Sequence, residues 1–223
     1  MSKVYIKSFM RSISDLIFKY RSKLLKRYYN QGYGHVRLKQ SINPSMSIIS
    51  NNCFSGAISK TLKYSYNSPT VGLYFMYPDY ITFLEHLDGF ISSSLEFKTK
   101  SIYESVNKER EKKPYPIGRL VYNNHEVEIE FLHYHSEEEA KEKWERRCKR
   151  IQMHNLLIVG SEQDGCIDHH VDRFMNLQFK NKIFLGRRKR KYKNPGYHYV
   201  KFLNSKRFKN LYVQSHFAYK YLC

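Results

Sequence analysis

The stretch MSIISNNCFSGAI, residues 46–58, opens on a short apolar run, breaks at Asn51-Asn52-Cys53 and resumes with helical spacing from Ser55 and Gly56 through Ala57, Ile58 and Leu62. A strand running into a helix is the unit from which alternating α/β layers are built. The same change of period recurs along the chain. VGLYF at 71–75 is a second apolar run, after which Pro78 and Asp79 start a helix whose apolar face is Ile81, Phe83, Leu84 and Leu87. IGRLV and EVEIEFLHY, separated by Tyr122-Asn123-Asn124-His125, spell a hairpin. LLIVG at 156–160 reads as a buried strand, Asp164-Gly165-Cys166 as a turn and Ile167 to Met175 as a helix, followed by the apolar run KIFLG. The expected fold is α/β, a three-layer sandwich with a mixed, mostly parallel sheet and basic terminal extensions.

Two further segments complete the reading. Lys98 to Pro116 is polar, charged and holds two prolines, which predicts a long surface connection. Ser136 with Glu139 forms a capping box. Glu137 and Glu138 suit the first turn of that helix, Arg146, Arg147, Lys149 and Arg150 suit its last, and Ala140, Trp144, Cys148 and Ile151 form its buried stripe. In EVEIEFLHY, Val127, Ile129, Phe131 and His133 share one face and Glu126, Glu128 and Glu130 the other.

The chain has 223 residues, 41% of them hydrophobic, which is enough for a real core. Its formal net charge of +19 is unevenly spread. Residues 1–42 carry 10 Lys and Arg against Asp15 alone, 187–223 carry 11 against no acid, and 43–186 hold 18 bases and 19 acids. This divides the chain into a basic amphipathic N-terminal extension (1–42), an α/β core domain (43–186) and a basic, Tyr-rich C-terminal extension (187–223). A neutral body with basic flanks fits an anionic membrane surface and makes nucleic acid the less suited partner. At the amino end Ile6, Phe9, Met10, Ile13, Leu16 and Ile17 recur at helical spacing, interrupted by Lys3, Lys7, Arg11, Lys19, Arg21 and Lys23. That pattern suits a helix lying on a bilayer or packing on the domain, and no apolar run approaches the ~20 residues of a membrane span. With no signal-peptide order and no CxxC pair among Cys53, Cys148, Cys166 and Cys223, a cytoplasmic location is expected, peripheral at the inner face of the cytoplasmic membrane.

Reactive side chains fall at three junctions: Cys53 after MSIIS, His133 and His135 closing EVEIEFLHY, and Asp164 after LLIVG. In an α/β sheet such junctions gather at the carboxyl edge of the strands, where ligands bind. Cys53 just ahead of a helix would have a lowered pKa, making it a nucleophile with His133 as base and Asp164 or an asparagine orienting the imidazole. The same residues also fit a packed thiol and a satisfied core histidine. Asn51 and Asn52 are candidates for holding a sugar or phosphate, or for making the turn; Asn67 and Ser68, in Tyr66-Asn67-Ser68-Pro69, are candidates for a substrate loop or another turn. Adjacent His169 and His170 diverge on a helix, and no DxD, GxGxxG, P-loop, HExxH or GxSxG occurs, so neither a metal nor a cofactor is expected.

SNNCFSGAI, YNSPTVGLYF with YPDYITFLEHL, YPIGRL, VEIEFLHYHSEEEAKEKWERRCKRI and the DGC turn, in that order over about Met46 to Gly186, resemble a family called domain of unknown function 1919. Its members are commonly labelled exopolysaccharide biosynthesis proteins. The resemblance departs at Phe54-Ser55, where Trp and Gly are expected, and it implies that His135 is a variable position, which favours His133. A fainter likeness joins the cysteine block and the later histidine to papain-like cysteine proteins. The family label implies a gene neighbourhood and not a reaction; the leading expectation, which the basic flanks suit, is a transferase, glycosyl or acyl, modifying a lipid-linked saccharide at the inner membrane face, alone or with polysaccharide-assembly proteins. The alternatives are a cysteine hydrolase or acyltransferase built on Cys53, and a non-catalytic protein using its basic ends on nucleic acid or an assembly partner.

Overall fold

The computed structural model describes residues 3–192, 195–200, 216 and 218–222, without the side chains of residues 3–8 and 11. Cys223 and positions 201–215 of the Tyr-rich tail lie outside the described residues. Four strands pair in parallel in the order β1 (Ser47–Ser50), β5 (Leu156–Ser161), β6 (Lys182–Gly186) and β7 (Tyr197–Tyr199). Three more form an antiparallel sheet in the order β2 (Glu96–Lys98), β3 (Ile117–Tyr122) and β4 (His125–Glu130). The α/β class therefore holds, with parallel and antiparallel pairing sorted into two sheets.

The parallel sheet is the middle of three layers because its strands are apolar on both faces. Ile48, Leu157, Val159, Ile183 and Leu185 point into one core, shared with Phe54, Ile58 and Leu62 of α3 (Phe54–Leu62). The neighbouring positions Ile49, Ile158 and Phe184 point into the other core. There they meet Tyr77, Tyr80, Ile81, Phe83 and Leu84 of α4 (Tyr77–Glu85) and Val171 and Phe174 of α8 (Asp168–Asn176). The second sheet closes this core from the far side through Leu120, Val127 and Ile129, joined by Leu87 and Phe90 of α5 (Leu87–Ser92) and Trp144 of α7 (Glu137–Cys148).

The chain ends are packed into the body as well as extending from it. Phe18 and Tyr29 of α1 (Lys3–Gln31), Leu38 of α2 (Tyr33–Ser41), Val200 and Tyr219 are buried in the same cluster as α3. Arg188 and Arg190 pair with the buried Glu162 and with Asp168, which folds the start of the basic C-terminal stretch back onto the domain.

Local chemistry accounts for the best-defined pieces. Ser136 accepts from the Glu139 N–H at 3.2 Å, the N-cap half of the expected capping box, while the Glu139 carboxylate takes the N–H of the preceding His135 at 2.8 Å in place of that of Ser136. Asn123 and Asn124 have φ of 44° and 63°, the left-handed pair that a two-residue hairpin needs, and asparagine tolerates it.

Two expectations are corrected. VGLYF makes an extended link between the sheets and no regular strand. Phe75 N–H donates to Asn51 O (2.9 Å), while Tyr74 and Glu130 exchange both backbone hydrogen bonds at 3.0 and 2.9 Å. The 98–116 connection contains a helix, α6 (Glu104–Arg110), whose Val106 is buried with Tyr74, Tyr115 and Ile117. Because the same stretch holds Ser101 and Lys98 against Glu128, the glutamate face of β4 is covered. Glu128 and Glu130 are buried as deeply as Val127 and Ile129.

Arg147, in the last turn of α7, is also buried, and its placement fixes the link. Its guanidinium donates to Val71 O at 2.9 Å and to the Tyr134 hydroxyl, which itself donates to Val71 O at 2.5 Å. Removing a charged donor from a buried carbonyl costs about 2–3 kcal/mol. Arg147→Ala is expected to lower the unfolding free energy from urea titration by that amount; a change within about 0.5 kcal/mol would mean the clamp contributes nothing.

Candidate functional site at the carboxyl edge of the parallel sheet

β1 and β5 are paired neighbours, so the residues that follow them emerge side by side. Asn51 and Asn52 leave β1, and Ser161, Gln163 and Asp164 leave β5. Asn51 Oδ1 accepts from the Ser161 N–H and hydroxyl, both at 3.0 Å, and its amide nitrogen donates to Asp164 Oδ2 at 3.1 Å. Asn52 donates to Ser161 Oγ at 2.7 Å and to Gln163 Oε1 at 3.0 Å, and accepts from Phe54 N at 3.3 Å. The two amides thus strap the strand ends together. The β5 turn is made by Asp164 and Gly165 at φ of 53° and 81°, both left-handed; an aspartate tolerates this and a glycine suits it.

The strap holds Asp164 in poorly solvated surroundings. Burial raises its carboxyl to about 7, with Glu109 adding to the rise and hydrogen bonds from Asn52 and Asn51 opposing it. Such a group changes charge near neutrality, the property required of a general base or acid.

Behind Asp164 lies a second set of carboxyls. Glu130 is 0% exposed, and neither of its side-chain oxygens has a hydrogen-bond partner. Burial first, then the charges of Asp79, Glu128 and Asp164, push it well above the usual carboxylate range, which favours its neutral form. Asp79 is raised by burial to about 7 despite accepting from the Glu128 N–H at 3.1 Å and from Tyr103. Glu128 differs in having a cation, Lys98 at 2.5 Å. On the other side Tyr74 and Tyr115, hydroxyls 2.8 Å apart, both bond Glu109 Oε2.

Cys53 stands at the N-cap of α3 beside this edge, buried, with Sγ 4.0 Å from Leu73 O. Burial, followed by the negative Asp164, pushes its thiol up to about 11, outweighing Lys113 and the helix end. The lowered pKa expected from the helix dipole is therefore not found. His133 sits in an exposed turn past the end of β4, off the apolar face that alternation assigned to it, and its N–H donates to Gly72 O at 3.0 Å. Partial desolvation by the surrounding chain, and then Lys113, lower its ring pKa even though the residue is exposed. Cys53 and His133 thus flank the same 72–73 segment, yet no hydrogen bond joins thiol to imidazole, or imidazole to Asp164, among the described residues.

The two substrate-loop candidates part company. Ser68 bonds Thr70 Oγ1 at 3.0 Å, which accepts from Ser50 N at 3.1 Å, so it belongs to the buried hydroxyl network under the end of β1. Asn67 donates to Pro44 O at 2.7 Å, toward the other end of that strand. His170 stacks on Tyr77 with ring centroids 5.7 Å apart and accepts the Ile167 N–H, a capping role. Among the described residues no group of three or more His, Cys, Asp or Glu is placed to hold a metal ion, and no helix is long and apolar enough to cross a membrane.

Sequence reasoning passed over Asp79, Glu109 and Glu130. Asp79 looked like an ordinary first-turn acid, Glu109 lay in an assumed surface connection, and Glu130 was read only as sharing a face with Glu126 and Glu128. The available signal was the acidic alternation of β4 set against a body rich in tyrosine.

The family model for DUF1919, a domain of unknown function, matches residues 21–222. A protein of Haemophilus influenzae, named only as uncharacterized, is 36% identical over 141 residues, which cover 63% of this chain and 61% of that protein's length.

Because Asp164 is raised, the folded chain holds a proton there that the unfolded chain has already lost above its ordinary value near 4. Stability from this group is therefore present at low pH and falls as pH rises from about 4 to 7. Asp164→Asn is expected to flatten that part of the stability curve and to gain on the order of 1–3 kcal/mol over wild type above pH 7. Urea titrations at pH 4.5 and 8 check this; parallel curves for the two proteins would place Asp164 in water.

Proposed function

Because the chain belongs to the DUF1919 family, which is defined by sequence and assigns no reaction, we propose its function from the site: transfer of a glycosyl or acyl group to a hydroxyl of a lipid-linked saccharide. The work would be done at the inner face of the cytoplasmic membrane, in the making of exopolysaccharide or capsule. The observation that carries this reading is Asp164, a carboxyl raised to about 7 and held by the Asn51 amide at the edge where α/β sheets take their ligands. As the acceptor oxygen bonds the electrophilic carbon of the donor, its proton passes to Asp164. The leaving group departs with the electron pair of the broken bond. Asn51 and Asn52 keep the carboxylate aimed, so they position without touching the reacting atoms.

A cysteine mechanism is the weaker reading, since burial and Asp164 both disfavour the thiolate it needs. The composition of surface polysaccharide from a deletion strain tests the whole proposal: a missing sugar identifies glycosyl transfer and a missing acyl group acyl transfer. Asp164→Asn is expected to restore the missing component about a hundredfold less well than wild type, whereas Cys53→Ser restores it. The reverse pattern would move the chemistry to the thiol. Unchanged polysaccharide in the deletion strain would remove the proposal altogether.

A further inference from the structure

Helix α1 has two apolar faces, and the described residues cover one of them. Phe18, Leu25 and Tyr29 pack into the core beside Leu38 and Ile58. On the opposite side Phe9, Ile13, Leu16, Tyr20 and Leu24 follow one another at steps of four, three, four and four residues, which sets them in a single row. Phe9 is 68%, Leu16 72% and Tyr20 65% exposed, and Met10 and Ile17 widen the row. An uncovered stripe of this size on a folded domain calls for something to cover it.

Charge selects the occupant. Over Lys3–Gln31 the helix carries eight Lys and Arg against Asp15 alone, so a second copy laid along the stripe would bring two strongly positive rods together. Lys19 and Lys23 line one shallow surface depression with Leu16, Ile17 and Tyr20, the arrangement in which lysine stems extend apolar surface while their ammonium groups reach for anions. The basic stretch after β6 is differently placed: Arg188 and Arg190 are already paired with Glu162 and Asp168.

We propose that the outward face of α1 is an in-plane anchor that docks this chain on an anionic lipid bilayer, with the stripe entering the acyl boundary and the flanking bases on the headgroups. The anchor rests on the membrane-face reading above for its purpose, and it names the element that would deliver the site to a lipid-linked acceptor.

The test is co-sedimentation of the full chain with vesicles of phosphatidylglycerol and phosphatidylethanolamine, and with phosphatidylcholine vesicles. Wild type is expected to bind the anionic vesicles alone. The triple variant Leu16→Gln/Ile17→Gln/Tyr20→Gln, altered only at solvent-facing positions, is expected to bind them about tenfold more weakly or less with an unchanged melting midpoint. Lys189→Gln/Lys191→Gln should stay within about twofold of wild type. The anchor is overturned if the triple variant binds like wild type, if neutral vesicles bind equally well, or if the second variant loses binding instead. It is likewise overturned if sedimentation velocity without lipid finds a dimer that the triple variant dissolves, which would make a second copy the occupant. None of these outcomes depends on transfer chemistry, which is read separately from the polysaccharide of strains carrying Asp164→Asn.

Discussion

Residues 71–76 must satisfy their backbone on two sheets at once. Phe75 reaches the end of β1 through Asn51 O, Tyr74 pairs with Glu130 at the end of β4, and Gly72 O takes the His133 N–H. Val71 O is held by Arg147 and the Tyr134 hydroxyl. A buried backbone group without a partner is expensive, so this segment can lie in one place only. Its position closes the end of the outer edge of β4 at Glu130, while Asp79 takes the Glu128 N–H further along it. The same pairing draws Glu130 into the interior, because the residue that exchanges backbone bonds with Tyr74 carries its side chain along. Gly72, at φ of 80°, supplies the left-handed step that brings the chain against Tyr134.

The electrostatics of the interior follow from that seam. Three acids, Asp79, Glu130 and Asp164, sit in surroundings where desolvation is the largest influence on each. A chain with a net charge of +19 does not lack cations, but near the seam Lys98 is used by Glu126 and Glu128, and Arg147 is committed to a carbonyl and a phenol. Burial and the neighbouring acids thus favour the neutral form of Glu130, the innermost of the three. That arrangement retains carboxyls able to accept or give a proton near neutral pH, which a set of closed ion pairs would not.

How much of this could be read in advance varies with the physics involved. MSIIS, LLIVG and KIFLG announce buried strands because both faces of a parallel sheet are covered, and Asn123-Asn124 and Ser136 with Glu139 announce a turn and a cap because those rules are local. That Asn51, Asn52, Cys53 and Asp164 come together was legible too, since parallel neighbours β1 and β5 end on the same edge. Alternation in β4 revealed that Glu128 and Glu130 share a face but not that Ser101, Lys98 and Tyr74 cover it, for a cover supplied by distant segments leaves no local mark. The thiol was misjudged for a similar reason. A helix end lowers a cysteine pKa by a modest local field, and burial beside Asp164 is a larger, nonlocal influence of opposite sign.

Under the transfer reading, a carboxyl at about 7 is a compromise between two demands. A base with an ordinary carboxylate pKa would always be ionised at neutral pH but would attract a hydroxyl proton weakly, while one raised far above neutrality would seldom be free to accept it. Asp164 is intermediate because the asparagines pull against burial: their amide N–H groups favour the charged form that the surroundings penalise. The strand-end amides are then as much a part of the proton chemistry as the acid itself. Their spacing is fixed by β1–β5 pairing, so the compromise is set by sheet geometry and not by a mobile loop.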